Sequence, residues 1–352
     1  YKKYKNMSEE QPFVSICTPT YNRRPFIESM FECFRHQTYP RDKMEWIIVD
    51  DGTDKIEDLI KQSNLPQIRY FKVKKKMKLG EKRNFMHKYV NGSIVVYMDD
   101  DDYYPPQRVE HCVETLLANP TALCAGSSEL YVYFKHIDKM YQSGPFGDTH
   151  ATAGTFAFKK ILLEHTKYDD NAALAEERSF LKDYTIPFVQ LDPMKTILVF
   201  SHHHNSFDKK NMLQNSDPKY FKESSKQVRD FIRQENEEPI YNFFMKEIDE
   251  LLENYLPGTP ENKPDVIQQL NEIRDKREKM MQQQSTNKSA SIMIEVPGQG
   301  KRPLSPPEIV QMLTQQQNQI KFLVNKVKEL ESAALQKQMN DAMNGQNFSY
   351  ST

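Results

Sequence analysis

The stretch VVYMDDDDYYPP, residues 95–106, decides the reading of this chain. Apolar β-formers from Ile94 to Met98 predict a buried strand, and four consecutive aspartates, Asp99 to Asp102, follow it directly, then two tyrosines and two prolines. Open α/β sheets bind ligands beyond the carboxyl ends of their strands. Carboxylates crowded at such an end repel one another unless a cation lies between them. Oxygen ligands of this kind suit Mg²⁺ or Mn²⁺ better than Zn²⁺. The competing reading is a solvated acidic turn in which Asp102 caps the following helix.

Working back toward the N-terminus, FVSICT (13–18) predicts a strand that breaks into a loop at PTYNRR (19–24), and Ile27, Met30, Phe31 and Phe34 follow at helical spacing. WIIV (46–49) predicts a second buried strand, again ending in acids at Asp50 and Asp51, before Gly52 and Thr53. A short helix over 56–62, a strand over 68–73 and a helix over 79–89 complete the run. Four strands alternating with helices predict an α/β fold with a mostly parallel, doubly wound sheet. The carboxyl ends of parallel strands share one edge, so Thr20, Asp51 and Asp101 are expected to converge there.

Forward of the acidic turn, the pattern predicts a helix over 108–118 and strands over 121–126, 130–134, 187–191 and 196–200, the last running into His202, His203 and His204. Residues 217–255 carry Phe231, Tyr241, Phe244, Ile248 and Leu252 on an amphipathic helical stripe that is expected to pack on the core. The expected organisation is a tag-like, disordered N-terminus (1–12), a catalytic α/β domain (13–212), a helical extension (213–284), a flexible linker (285–306), a coiled-coil-like helix (307–338) and a tail (339–352). In that helix apolar residues recur in a 4-3 pattern at Ile309, Leu313, Ile320, Leu323, Val327, Leu330 and Ala334, which predicts either self-association or docking on its own domain.

The chain has 352 residues and a formal charge of -1 from 48 basic and 49 acidic side chains, so no net field favours nucleic acid or an anionic membrane. Cys17, Cys33, Cys112 and Cys124 lie far apart without a CxxC pair, which fits buried free thiols in a reducing compartment. With no long apolar run and no signal-peptide pattern, the expectation is a soluble, cytoplasmic protein without a transmembrane segment.

Each motif has a chemical reading and a plain one. The turn at Thr18, Pro19, Thr20, Tyr21 and Arg23 offers a ring for base stacking and backbone amides for a phosphate or a base edge. Asp51 can accept from a base N–H or a ribose hydroxyl, or with Gly52 it simply completes a turn. In GEKRN (80–84) Arg83 presents a planar fork to a diphosphate, or Gly80 merely opens a helix. The histidine run supplies a metal ligand or faces solvent; period-2 alternation places His202 and His204 on one face.

The ordered combination PTYNR, VDDGT, GEKRN and YMDDDDYYPP resembles the nucleotide-sugar-binding half of the glycosyltransferase family 2 enzymes, which have a GT-A fold. The resemblance covers about residues 13–205. It implies a GT-A domain that moves a sugar from a nucleotide-sugar donor, most simply a UDP-sugar, to a glycan or protein hydroxyl. The family's DxD falls on Asp99 and Asp101. Asp101 is then a Mn²⁺ or Mg²⁺ ligand, with Asp99 or Asp100 on the ribose or on a metal-bound water. Thr20, Tyr21 and Asp51 match the uracil-side contacts, Arg83 matches the nucleotide-contacting arginine, and His204, with His202 as the alternative, completes the metal shell. The family's acidic pair falls on Glu176 and Glu177, which makes Glu177 the expected base, with Glu176 or Asp183 as substitutes; the family usually has Asp where Glu177 stands. An acceptor hydroxyl needs such a carboxylate to take its proton, and a departing diphosphate needs neutralising charge. The rival functions are a sugar nucleotidyltransferase, disfavoured because TPTYNRR lacks glycine, and a non-catalytic module that self-associates through its C-terminal helices.

Overall fold

The computed structural model describes residues 11–174, 177–205, 208–288, 293–296 and 300–345. Residues 1–10, and Glu176 with them, lie outside the described residues. The chain divides into two units, residues 1–273 and 274–352.

In the first unit, β1 (Val14–Thr20), α1 (Ile27–Arg35), β2 (Met44–Asp50), α2 (Glu57–Gln62), β3 (Ile68–Lys72), α3 (Leu79–His87) and β4 (Ile94–Tyr97) alternate as the apolar runs predict. After α4 (Arg108–Ala118) come β5 (Cys124–Gly126), β6 (Leu130–Phe134), β7 (Lys139–Ser143), β8 (Ala157–Lys159), α5 (Glu177–Phe180), β9 (Phe188–Gln190), β10 (Leu198–Ser201), α6 (Lys210–Asn215) and β11 (Phe221–Ser224). The main sheet has the order β3-β2-β1-β4-β8-β5-β9. Strands β3, β2, β1 and β4 run parallel, β8 enters antiparallel between β4 and β5, and β9 is parallel to β5. A second sheet, β10-β6-β7-β11, stands beside it.

Val14, Ile16, Ile48, Ile94 and Val96 point to one face of the main sheet and Cys17, Ile47, Val49, Val95 and Tyr97 to the other, all buried. Trp46 stacks on Phe34 with ring centroids 4.6 Å apart. Fully burying apolar side chains of this size contributes roughly 1.5–3 kcal/mol each, so the strand ends are held rigidly. All four cysteines are free and buried, and burial pushes their thiols up.

Two elements depart from the sequence pattern. Strand β7 (KMYQS) is too polar to read as a buried strand, because its sheet leaves some of its side chains in water. The stripe over 217–255 is not one helix: β11 and tight turns precede α7 (Glu238–Asn242) and α8 (Ile248–Glu253), because Pro239 is tolerated only in a first helical turn. Phe231, Phe244, Ile248 and Leu252 are nevertheless buried in the core.

Helix α9 (Pro264–Lys288) crosses the division between the units, and the second unit contains the hairpin β12 (Met293–Val296) and β13 (Gly300–Pro303), within the stretch expected as a linker, and α10 (Pro306–Gly345). Among the described residues no helix is long and apolar enough to cross a membrane.

Candidate active site

At the carboxyl end of β1 the chain turns through Asn22 in the left-handed region (φ 51°), which asparagine tolerates better than most residues. Asn22 Oδ1 accepts from the Thr53 and Asp54 amides at 2.7 and 3.0 Å and so ties the first loop to the loop after β2. A Cβ on Gly52 would lie 2.6 Å from that oxygen, which is why glycine stands there. Thr18 is spent on structure: its hydroxyl donates to the Met98 carbonyl (2.6 Å) and accepts from Trp46 Nε1 (2.9 Å). Pro19 is partly exposed on the same strand.

Lys82 joins the β1 and β2 ends. It donates to the Thr20 carbonyl (3.1 Å) and is ion-paired with Asp51, whose other oxygen accepts from the Met77 amide (2.6 Å). Both Asp51 oxygens are thus engaged within the protein. The Tyr21 ring lies under the ammonium groups of Lys76 and Lys82, 4.9 and 5.7 Å from its centroid. Arg83 stacks over Tyr97 (4.4 Å) and Tyr168 (5.5 Å) with its guanidinium 3.9 Å from Asp99 Oδ1. Lys82 is absent from the sequence-derived site; its signal is helical spacing, since it falls with Gly80, Arg83 and Met86 on the buried face of α3.

The acids after β4 meet a buried cation. Arg23 places Nε 3.5 Å from Asp100 Oδ1, Nη2 3.0 Å from Asp101 Oδ2 and Nη1 2.7 Å from the His204 carbonyl. Burial raises the Asp100 carboxyl to about 7, helped by the neighbouring Asp101 charge and opposed by Arg23. Burial acts the same way on Asp101, but Arg23 and His202 together outweigh it and hold that carboxyl well below the usual range. Thr20 and its hydroxyl lie against Asp100.

Of the two histidines considered, His202 is the one whose ring stands beside the acids. Strand β10 ends at Ser201 and residues 202–205 form a turn closed by the Asn205 amide on the His202 carbonyl (3.1 Å), so the alternation of an extended strand does not apply. His202 Nε2 stands 3.5 Å from Asp101 Oδ2, whereas the His204 ring turns toward Tyr255 and only its carbonyl joins the cluster. His202 Nε2 also lies 2.8 Å from Asn205 Nδ2, and burial pushes this imidazole down to about 3. Among the described residues no three His, Cys, Asp or Glu side chains converge as a preformed metal cage. The donor chemistry still fits a Mn²⁺ or Mg²⁺ type ion: a charged carboxylate and a neutral imidazole nitrogen lie side by side, with Asp99 and Asp100 adjacent.

Glu177 opens α5, and its Oε1 accepts from the Ala153 amide at 3.1 Å. The next residue, Gly154, lies so close to Asp99 that an added Cβ would sit 2.8 Å from Asp99 Oδ2. Tyr104 stitches the same turn to the acids, donating to the Gly154 carbonyl (3.3 Å) and accepting from the Asp99 amide (2.6 Å). Glu177 and the acid cluster therefore flank one turn, residues 153–155. Asp183 points away, 72% exposed and paired with Arg178 at 2.6 Å.

Residues 15–175 match the family model described as Glycosyl transferase family 2. Among curated relatives, an uncharacterized glycosyltransferase of Rickettsia bellii (strain RML369-C) is 33% identical over 132 residues, 36% of this chain and 19% of that protein. The putative teichuronic acid biosynthesis glycosyltransferase TuaG of Bacillus subtilis (strain 168) is 30% identical over 119 residues, 33% of this chain and 46% of that protein. The matched stretch thus spans less than half of each relative. Among solved structures, mannosyltransferase PcManGT from Pyrobaculum calidifontis in complex with GDP-Man and Mn²⁺ is similar at TM-score 0.46 and 19% identity, covering 58% of this chain and 62% of that one. S. aureus TarS 1-349 in complex with UDP-GlcNAc is similar at TM-score 0.42 and 16% identity, covering 54% and 58%.

Proposed function

We propose that this chain, whose residues 15–175 form a glycosyl transferase family 2 domain of the GT-A type, is an inverting glycosyltransferase that moves a sugar from a nucleotide-sugar donor, a UDP-sugar, to an acceptor hydroxyl. One observation carries the reading: Glu177 and the Asp99–Asp101 cluster flank the same turn, so a group able to take a proton and a group able to hold a donor face one small region.

In this reading the base stacks on Tyr21, and Lys82 and Arg83 lie where a diphosphate would meet cations. Asp101 and His202 are the residues that would hold a divalent ion, with Asp99 or Asp100 on the donor ribose or on a water. A divalent cation held there would supply neutralising charge for the departing diphosphate. Glu177 takes the acceptor O–H proton while the acceptor oxygen bonds to the anomeric carbon; the bond from that carbon to phosphate breaks, and its electron pair leaves with the nucleoside diphosphate. Displacement in one step, from the side opposite the leaving group, inverts that carbon.

We further propose that α10 assembles copies of the chain. Its residues Leu313, Ile320, Leu323, Val327 and Leu330 are more than half exposed and spaced as a coiled-coil seam.

Thermal denaturation of the full chain against a panel of nucleotide sugars, with and without MnCl₂, tests the donor reading, because a ligand that binds only the native state raises its melting temperature. The expected result is a rise with a UDP-sugar that grows when Mn²⁺ is present. No shift with any nucleotide sugar overturns the reading.

A further inference from the structure

We infer that Phe146, His150, Tyr184 and Tyr220 form a platform on which a sugar ring of the acceptor stacks, so that the acceptor is a glycan and not a protein side chain. The inference rests on the transferase reading above, with Glu177 beside the acceptor hydroxyl, and deepens it by naming the acceptor class.

The four rings touch in a chain. Tyr220 stacks on Phe146 with centroids 5.4 Å apart, Phe146 meets His150 at 5.0 Å, and His150 meets Tyr184 at 5.4 Å. Phe146 is 46% exposed and the other three are half-buried, so the cluster opens to water. Its backbone is held in place from several sides. Gln190 Nε2 donates to the Asp148 and His150 carbonyls (2.8 and 2.9 Å), and its Oε1 accepts from the Ser128 amide (2.9 Å). The Gly144 amide donates to the Tyr220 carbonyl (2.7 Å), which ties this loop to the residues before β11. Lys182, Asp183 and Tyr184 all lie in the left-handed region (φ 49°, 55° and 63°), a costly conformation for three side chains in a row, and it is this turn that presents the Tyr184 ring to His150.

The cluster leads to Glu177 by two routes. The loop that carries Phe146 and His150 continues to Ala153, whose amide donates to Glu177 Oε1 at 3.1 Å. At the other end Tyr184 feels the same carboxylate: burial first, then the Glu177 charge, push its phenol up. A molecule seated on the rings therefore has Glu177 at its edge. Ring faces bordered by phenol and imidazole edges suit a ligand with an apolar face and a polar rim. A pyranose is such a ligand, since its axial C–H bonds lie against a ring while its hydroxyls reach the polar edges. A serine or threonine side chain has no face to stack. The chain neighbours of the rings, Asp148, Lys182, Asp183 and Lys219, are of mixed sign, which selects neither an anionic nor a cationic partner.

The test is ligand-observed NMR of the full chain with neutral pentasaccharides (cello-, chito- and mannopentaose), for the wild type, Phe146→Ala and Phe146→Trp, beside thermal shifts of the same proteins with UDP-sugars in MnCl₂. The expected result is that at least one pentasaccharide binds the wild type, that F146A weakens it roughly 5- to 10-fold, as for loss of one aromatic contact, that F146W restores it, and that the UDP-sugar shift is the same in all three. A wild type that binds no pentasaccharide overturns the inference, as does a pentasaccharide held equally well by F146A. If pentasaccharides bind through Phe146 while no nucleotide sugar moves the melting temperature, the transferase reading falls and the rings are a glycan-binding surface alone. If nucleotide sugars bind and pentasaccharides do not, only this inference falls. Should F146A not fold, Phe146→Leu, apolar but without a ring, enters the same comparison.

Discussion

Arg23 Nη2 lies 3.0 Å from Asp101 Oδ2, so the loop after the first strand compensates the acidic turn after the fourth. The same guanidinium holds the His204 carbonyl and thereby fixes the turn that presents His202 to Asp101. Four consecutive aspartates are tolerable at a buried strand end because a cation is built in, and because burial and the Asp101 charge keep Asp100 easier to protonate than an exposed aspartate.

Removing that cation is expected to be costly. Arg23→Met leaves Asp101 buried and unpaired, and a loss of about 3 kcal/mol in urea unfolding is expected. Combined with Asp101→Asn, most of it should return, because the uncompensated charge has gone too. Additive losses in the double variant would show that the two side chains do not act as a pair.

Glu177→Gln keeps the side-chain shape and the contact to the Ala153 amide but cannot take a proton. Transfer should fall by about 10²- to 10⁴-fold with donor affinity unchanged, while Asp183→Asn, altering an exposed pair, should leave turnover as it was. Equal turnover in wild type and E177Q, measured as nucleoside diphosphate release with acceptor present, would remove Glu177 from the base role.

The parallel half of the sheet was legible because β1, β2 and β4 are continuous apolar runs buried on both faces, which leave little choice of period. The placement of Thr20, Asp51 and Asp101 at one edge follows from that alone. Lys82 and His202 required local geometry: a helix face in one case, a turn that cancels strand alternation in the other. The burial of Lys263 had no signal, since nothing in a polar stretch after a proline-rich break says that one of its lysines is buried. Strands β7 and β11 were hidden by polar side chains that a half-exposed sheet accepts.

His87 should make stability fall in mild acid. Its ring packs among Tyr97, Phe158, Tyr168 and Phe180, its Nε2 lies 2.7 Å from the Tyr97 hydroxyl, and burial first, then Arg83, push it down to about 3. In the unfolded chain it titrates near its ordinary value of about 6.5. Below that pH the unfolded state binds a proton that the native state refuses, so native stability drops as pH falls from about 6.5 toward 3, by at most about 2 kcal/mol at pH 5. Urea unfolding of wild type and His87→Gln at pH 7 and pH 5 checks this. The difference between the two pH values should shrink in H87Q, and an identical pH dependence in both proteins would refute it.

Gly258 sets how closely residues 255–265 approach the site. A Cβ there would lie 2.6 Å from the Asn22 carbonyl and 2.8 Å from His204 Nδ1, too near for either neighbour to keep its place. Gly258→Ala is expected to destabilise the chain by about 1–3 kcal/mol in urea unfolding, as overpacking does. Wild-type stability in G258A would mean that Asn22 and His204 give way without cost.

The seam on α10 leads to a prediction about assembly. A helix that leaves Leu313 60%, Ile320 61%, Leu323 59%, Val327 52% and Leu330 63% exposed presents an apolar stripe that a monomer in water gains nothing from. Spacings of seven, three, four and three residues keep the stripe on one side of a helix wound slightly tighter than an isolated one, which is the condition for two or more copies to pack knobs into holes. Charges at two core positions of the seam cannot be buried without partners. Leu323→Glu with Leu330→Glu should therefore lower the mass found by light scattering to that of one chain, and leave any nucleotide-sugar binding as it was. A wild-type chain that is already monomeric at micromolar concentration would refute assembly through this helix.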